Sequence, residues 1–393
     1  MFARQRVLNL VAAAAFAAVA MTGCEKLVDT LDPDPGSSET LKIGVIQPHG
    51  YFVSFARGAE LARMELNAEG GVLGRQIEFI YRDNQKGLVF PTPESTIQAA
   101  EELIIGEKVF ALLGPTFSSN AIHLGDIAQQ SQTPVLVNAT SGAVSASSDY
   151  IFLVAGTTGS QGEGLAKFAL SPDNLGAKTA AALFQAGDLY SEVLVEAFAE
   201  KFEELGGSVL ARETYEVGSE TFAGSLQRAL AGSPDVVLMA SFAPEVPLAI
   251  NEAREAGYEG VFLGGTGWND PDSFFHALED NSVLNGSFFT SNFSAEAPGE
   301  SVQRFVAGYK AAYGTTPPGQ SSKGYDAMKL LAQAIETAGK LDAPAVRDAL
   351  AATSNYEGAT AIVRYNEHRQ PLKEIVIMTI QNGESTFYQL LAP

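Results

Sequence analysis

From Leu41 onward the chain alternates between short apolar runs and longer segments whose apolar residues recur every three or four positions. Residues 41–46 predict a strand. Ser54 then predicts the cap of a helix in which Phe55, Ala59, Ala62 and Leu66 share one face, and Gly70-Gly71 stops it. Residues 76–81 alternate as a strand, and residues 94–105 form a helix feeding a strand at 109–113. Strands follow at 134–137 and 151–154, then a helix at 161–170 capped by Ser160 and a buried strand at 179–184. An amphipathic helix at 191–205 closes at Gly206-Gly207. Further strands are expected at 209–215, 235–240 and 261–263, with helices at 222–230 and 245–256 between them. Beyond residue 291 the pattern turns helical (301–313, 325–338, 344–352), and it ends on strand-like segments at 361–365, 374–381 and 386–390. Such alternation means an α/β chain with mainly parallel sheets covered on both faces. There are too many units for one small sheet. Two doubly wound Rossmann-like lobes account for them, with the second beginning near Gly156.

Within this pattern, residues 109–141 stand out because two successive strands each run into a turn rich in Gly, Ser or Thr. Ser118 and Ser119 follow the first strand; Thr140 and Ser141 follow the second. Leading helix N–H groups lack internal partners and carry positive partial charge, so these positions suit a small carboxylate as well as simple N-caps. Two neighbouring strand ends of this kind put a ligand site on a level with plain capping, because open α/β sheets bind ligands at the carboxyl ends of their strands.

The first residues change the picture of where the protein works. Arg4 and Arg6 precede an apolar run at 7–20, and Met21-Thr22-Gly23-Cys24 follows. This spacing resembles a bacterial lipobox, which implies a signal peptide over 1–23, cleavage before Cys24, and lipid attachment to that residue, the sole cysteine. Residues 24–40 are polar, with two prolines and a Gly-Ser-Ser, and read as a flexible tether. With 25 Lys and Arg against 46 Asp and Glu the net charge is −21, and loss of the two arginines in 1–23 takes it to −23. Such acidity argues against nucleic acid as a partner, since that contact requires cations on phosphate.

Catalytic patterns are weak. Gly265-Thr266-Gly267 lacks the third glycine of a dinucleotide fingerprint, and there is neither a Walker sequence nor a G-x-S-x-G elbow. His49, His123, His276 and His368 lack metal-ligand spacing. No enzymatic activity, metal or cofactor is expected.

The residues that carry a family likeness lie along the whole body. Arg57-Gly58-Ala59-Glu60-Leu61-Ala62, Asn67-Ala68-Glu69-Gly70-Gly71-Val72-Leu73-Gly74-Arg75 and Tyr81-Arg82-Asp83-Asn84-Gln85 form the opening. Leu113-Gly114-Pro115 with Ser118-Ser119, Pro134-Val135-Leu136, Leu263-Gly264-Gly265-Thr266-Gly267-Trp268 and Gly324-Tyr325-Asp326-Ala327 continue it. Together they resemble the Leu/Ile/Val-binding protein family, the substrate-binding subunits of branched-chain amino-acid-type ABC importers. The resemblance implies a type I periplasmic binding protein: two lobes, three crossovers, and a cleft that closes on a small ligand. Lobe I would comprise 41–155 and 291–356, lobe II 156–290 and 357–393. It further implies that Ser118 holds the ligand carboxylate and that the turn of Thr140 and Ser141 gives the next carboxylate and ammonium contacts. Tyr190 and Phe242 would cover the ligand from the second lobe, with Tyr51, Thr266 and Trp268 around it. Family members that bind amino acids commonly place an acid at the position of Thr266, to pair with the ligand's ammonium. Here either Asp188 or Asp270 supplies that charge, or the ligand has none; amino acids, aromatic or aliphatic carboxylates and amides all stay open. The implied partners are a permease and ATPase complex and a membrane reached through the lipid on Cys24, with location in the periplasm or on the outer face of the cell membrane. The same fold can instead present ligand to a sensory receptor.

Overall fold

The computed structural model describes residues 40–391, apart from Val89 and the side chain of Asp272. The expected signal peptide, Cys24 and nearly all of the expected tether lie outside the described residues.

The first sheet holds β1 (Leu41–Ile46), β2 (Ile77–Arg82), β3 (Ala111–Leu113), β4 (Val135–Val137) and β5 (Ile151–Leu153). Their order is β2-β1-β3-β4-β5 and every pairing is parallel. A second sheet holds β6 (Thr179–Gln185), β7 (Ser208–Tyr215), β8 (Val236–Ala240), β9 (Val261–Gly264) and β10 (Phe288–Ser291). A small third sheet comprises β11 (Ser354–Glu357), β12 (Ala361–Tyr365) and β13 (Pro371–Leu372). The last strands, β14 (Ile375–Gln381) and β15 (Glu384–Leu391), return to the second sheet as an antiparallel pair, giving the order β15-β14-β10-β9-β8-β6-β7. β3, β4, β5 and β8 are buried throughout, which is why they read as continuous apolar runs. The molecule is thus the α/β chain of two doubly wound lobes that the alternation implied.

The chain passes between the lobes three times, after β5, after β10 and between β13 and β14. The first two passages are joined where the Gly156 N–H donates to Asn292 Oδ1 (3.0 Å), and the third is tied to the first where Lys373 Nζ donates to the Val154 carbonyl (3.1 Å). The third passage lies later than residue 357, where the sequence reading put it. Ile362 and Tyr365 of β12 lie in the core of the first lobe, and the Tyr365 hydroxyl donates to the Leu153 carbonyl (2.8 Å), so 361–372 pack with the first sheet.

Three local expectations differ from the structure. Ser54 lies inside the helix Val53–Ala68, whose N-cap is Phe52, in the left-handed region at φ 50° and without a side-chain cap. Thr157 rather than Ser160 caps Thr158–Leu170, accepting from the Ser160 N–H. The helix expected at 325–338 begins at Gly319. That earlier start has a cause in packing. Helices Val53–Ala68 and Gly319–Ala338 cross with their backbones almost touching, so a Cβ on Gly58 would lie 1.8 Å from the Ser321 carbonyl oxygen and one on Gly324 would lie 1.9 Å from that of Phe55. The crossing holds the first turns of Gly319–Ala338 against the carboxyl edge of the first sheet, beside the cleft.

Candidate functional site

The carboxyl ends of both sheets face each other across a cleft. On the first lobe, β3 leads through Thr116 and Phe117 into the short helix Ser118–Ala121, and β4 leads through Asn138 to Thr140. Ser118 Oγ accepts the backbone N–H groups of Ser141 (3.1 Å) and Thr140 (3.4 Å), joining the two turns. Its own proton has no acceptor among the described residues, so Ser118 has a donor left for a ligand. Thr140 shares a hydrogen bond with Thr158 (2.9 Å).

The second lobe supplies the opposite wall. Asp188 caps the helix Leu189–Glu204 by accepting from the Ser191 N–H (2.8 Å), which places Tyr190 in the first turn facing the cleft. The Tyr190 hydroxyl accepts the Gly267 N–H (3.0 Å); burial raises its pKa. Gln161 Oε1 accepts the Thr266 N–H (3.1 Å) and the Thr290 hydroxyl (3.1 Å), and Gln320 Nε2 from the first lobe donates to the Thr266 carbonyl (3.2 Å).

These groups enclose a cavity lined by Ser118, Thr140, Tyr190, Phe242 and Thr266, and also by Phe52, Phe117, Asn138, Gln320 and Lys323. Its volume is about 20 Å³, room for about one water, so the lobes meet in a closed arrangement. Four aromatic rings pack together in its wall: Phe117 meets Phe242 edge-on at 5.0 Å, Tyr190 tilts on Phe242 at 5.1 Å, and Phe52 contacts both Phe117 (5.9 Å) and Phe242 (6.1 Å).

Four residues expected at the ligand do not line this cavity. Trp268 is a core residue of the second lobe: its indole N–H donates to the Met239 carbonyl (3.1 Å) and its ring stacks on Phe274 at 5.1 Å. Gly264 permits this, since a Cβ there would lie 2.1 Å from the indole. Ser119 spans the lobes, donating to Asp188 Oδ1 (2.6 Å) and accepting the Leu189 N–H (2.8 Å). Tyr51 packs behind the cavity on Phe90 (5.4 Å) and Phe117 (5.6 Å), and burial with Glu245 nearby pushes its pKa up to about 12. Ser141 contributes its backbone N–H to Ser118 rather than its hydroxyl to the cavity. Neither acid considered for an ammonium lines the cavity. Asp188 is held by Ser191 and Ser119, and Asp270 Oδ2 accepts the Phe52 N–H across the cleft (2.8 Å). Among the described residues no cluster of three or more His, Cys, Asp and Glu suits a metal, and no helix is long and apolar enough to cross a membrane.

Residues 40–385 match the family described as periplasmic binding protein. The chain belongs to that family. This periplasmic binding protein is 24% identical over 354 residues to Leu/Ile/Val-binding protein homolog 7 of Brucella suis, covering 83% of this chain and 84% of the relative. It superposes on the leucine-binding protein LivK of Thermotoga maritima with a TM-score of 0.83 at 28% identity, covering 90% of this chain and 99% of LivK. An ABC-transporter solute-binding protein of R. palustris, solved with benzoate, shares the fold at a TM-score of 0.79 and 21% identity, with 90% and 97% covered. These relatives and neighbours are solute-binding proteins rather than enzymes, and a family of this kind works outside the cytoplasm.

Lining residues with no place in the sequence-based expectations are Thr116, Phe117, Asn138, Gln320 and Lys323. The last two have a signal in retrospect: Gln320 and Lys323 lie three apart, one helical turn before the apolar face Ala327, Leu330 and Leu331 begins.

Proposed function

We propose that the protein is an extracytoplasmic, lipid-anchored binding protein that captures a small carboxylate or amino-acid-like solute between its lobes and delivers it to an ABC importer. One observation carries this reading: both sheets direct their carboxyl ends into one small cavity that combines the free Ser118 hydroxyl with an aromatic wall. Closure needs no chemistry, only tighter binding of solute to the closed form than to the open one. The names of its relatives and neighbours support the same role, since they include leucine- and benzoate-binding members. Lipid on Cys24 would keep the protein at the membrane, where a permease and ATPase complex receives the solute.

The test is a thermal-shift titration of the full chain in detergent with leucine, 4-methylpentanoate, benzoate and benzamide. A solute that binds only the folded form raises the midpoint as its concentration passes its Kd. Ser118→Ala is expected to weaken the active compound about tenfold, the loss of one hydrogen bond to a charged group. A compound whose affinity ignores both Ser118→Ala and Phe242→Ala would show that this cleft is not the site.

A further inference from the structure

Among the residues lining the cleft cavity, only Lys323 carries a formal charge. It lies in the second turn of Gly319–Ala338, is 3% exposed, and has no hydrogen-bond or ion-pair partner among the described residues. A buried ammonium in that situation is costly and calls for an anion.

Among the described residues no neighbouring side chain supplies one. Asp326, one turn further along the same helix, points its carboxylate at the Ala359 and Thr360 N–H groups and at the Tyr356 and Thr360 hydroxyls. Asp188 is spent on Ser191 and Ser119, Asp270 receives the Phe52 N–H, and Glu245 receives the Gly218 N–H. The other buried ammonium nearby, that of Lys373, repels Lys323. Two lining side chains do hold unpartnered acceptors, Gln320 Oε1 and Asn138 Oδ1, but both are neutral. They suit a hydroxyl or an N–H and cannot offset a second positive charge.

We propose that Lys323 is the counter-charge of the cleft and that the captured solute is an organic carboxylate with no ammonium group. The inference rests on the solute-binding reading above and narrows it. A free α-amino acid would bring its own ammonium into a cavity that already contains one and has no acid on its walls. A des-amino or aromatic carboxylate, admitted when the lobes part, brings the missing negative charge, offers oxygens to the Ser118 hydroxyl, and presents an apolar body to Phe52, Phe117, Tyr190 and Phe242, which must spread around it because the closed cavity holds about one water. Burial, helped by Lys373, pushes the Lys323 pKa of the solute-free protein down to about 7, so near neutral pH an arriving carboxylate also draws a proton onto this amine.

Isothermal titration of the full chain in detergent tests this with two matched pairs, 4-methylpentanoate against leucine and benzoate against benzamide. The carboxylate of at least one pair is expected to bind about thirtyfold or more tightly than its partner, and Lys323→Gln to remove that advantage. Benzamide affinity should change less than about threefold in the variant, because a lysine acting only on the fold would weaken acid and amide alike. Lys323→Met, which removes a buried charge at similar volume, serves if the Gln variant folds poorly, and the wild-type comparison needs no variant. Leucine binding as tightly as 4-methylpentanoate overturns the inference, as do equal losses of benzoate and benzamide in the variants, or no binding by either carboxylate. If leucine wins and its affinity depends on Ser118, the solute-binding reading survives; if the active compound ignores Ser118 and Phe242, that reading fails instead.

Discussion

A lone lysine in a cavity leaves a mark on stability that can be read without any ligand. The ordinary lysine pKa is 10.5, and in the folded protein Lys323 is pushed down to about 7 by burial and by Lys373. Between those values the unfolded chain holds more protons than the folded one, so stability rises with pH across that window. The groups facing Lys323 do not reverse the sign: Tyr190 across the cavity is neutral there because burial raises its pKa, and Asp326 turns to other partners. Lys373, pushed down to about 8, titrates in the same direction, so a difference between proteins is needed to isolate Lys323. Lys323→Met is expected to be more stable than wild type at pH 6.5, with the gap narrowing by pH 9.5. Urea unfolding at the two pH values measures it, and a constant gap would mean that Lys323 stays protonated in the fold. None of this was legible from composition. A helix begun at Tyr325 leaves Lys323 in a loop, where a lysine is an ordinary solvated residue. Ser118 and Thr140 were easier to find, since each follows directly from a strand end whose apolar run marks it, whereas Tyr190 and Phe242 were reached only through the family resemblance.

At the scale of the element, the reason the helix begins early is the crossing of two glycines over opposing backbone. Local propensity places Gly324 as a helix breaker, because glycine costs about 1 kcal/mol relative to alanine in a helix interior. The structure uses it for contact instead, since a side chain there would strike the Phe55 carbonyl. Sequence periodicity reports which face of one helix is apolar. It says nothing of how near another backbone comes, and this is why the strands and most helices could be read while this boundary could not. Gly324→Ala should therefore destabilise the protein by about 1–3 kcal/mol through overpacking, although it improves intrinsic helix propensity. The same variant should weaken solute binding, because Gln320 and Lys323 are carried by the turns that must move. Denaturant midpoints and titration calorimetry test both; a rise in stability would mean the helices separate freely.

For the whole molecule, the question is what holds the lobes together besides the three passages of chain. Trp268, Ser119 and the two acids are informative here because the family likeness, or for Ser119 the strand-end pattern, placed them at the ligand. Trp268 instead fills the second lobe's core, and Asp188 and Asp270 receive donors from the opposite lobe, Ser119 and the Phe52 N–H. Polar residues at a cleft edge thus divide into those that meet solute and those that meet the other lobe, a division that depends on the closed geometry and has no sequence signal. Ser119 is the cleanest place to separate the two. It gives a hydrogen bond to Asp188 and takes one from Leu189, it is outside the cavity, and the Asp188 cap on its own helix remains when it is removed. Two hydrogen bonds, one of them to a carboxylate, are worth together about 2–4 kcal/mol at most, so their loss shifts a lobe equilibrium without unfolding either lobe. Ser119→Ala is expected to enlarge the radius of gyration of the solute-free protein in X-ray scattering and to weaken binding several-fold. Saturating solute should bring the radius back to the wild-type value. If the solute-free radius is unchanged and affinity still falls, Ser119 acts on the solute directly, and the boundary drawn here between cavity and latch would have to move.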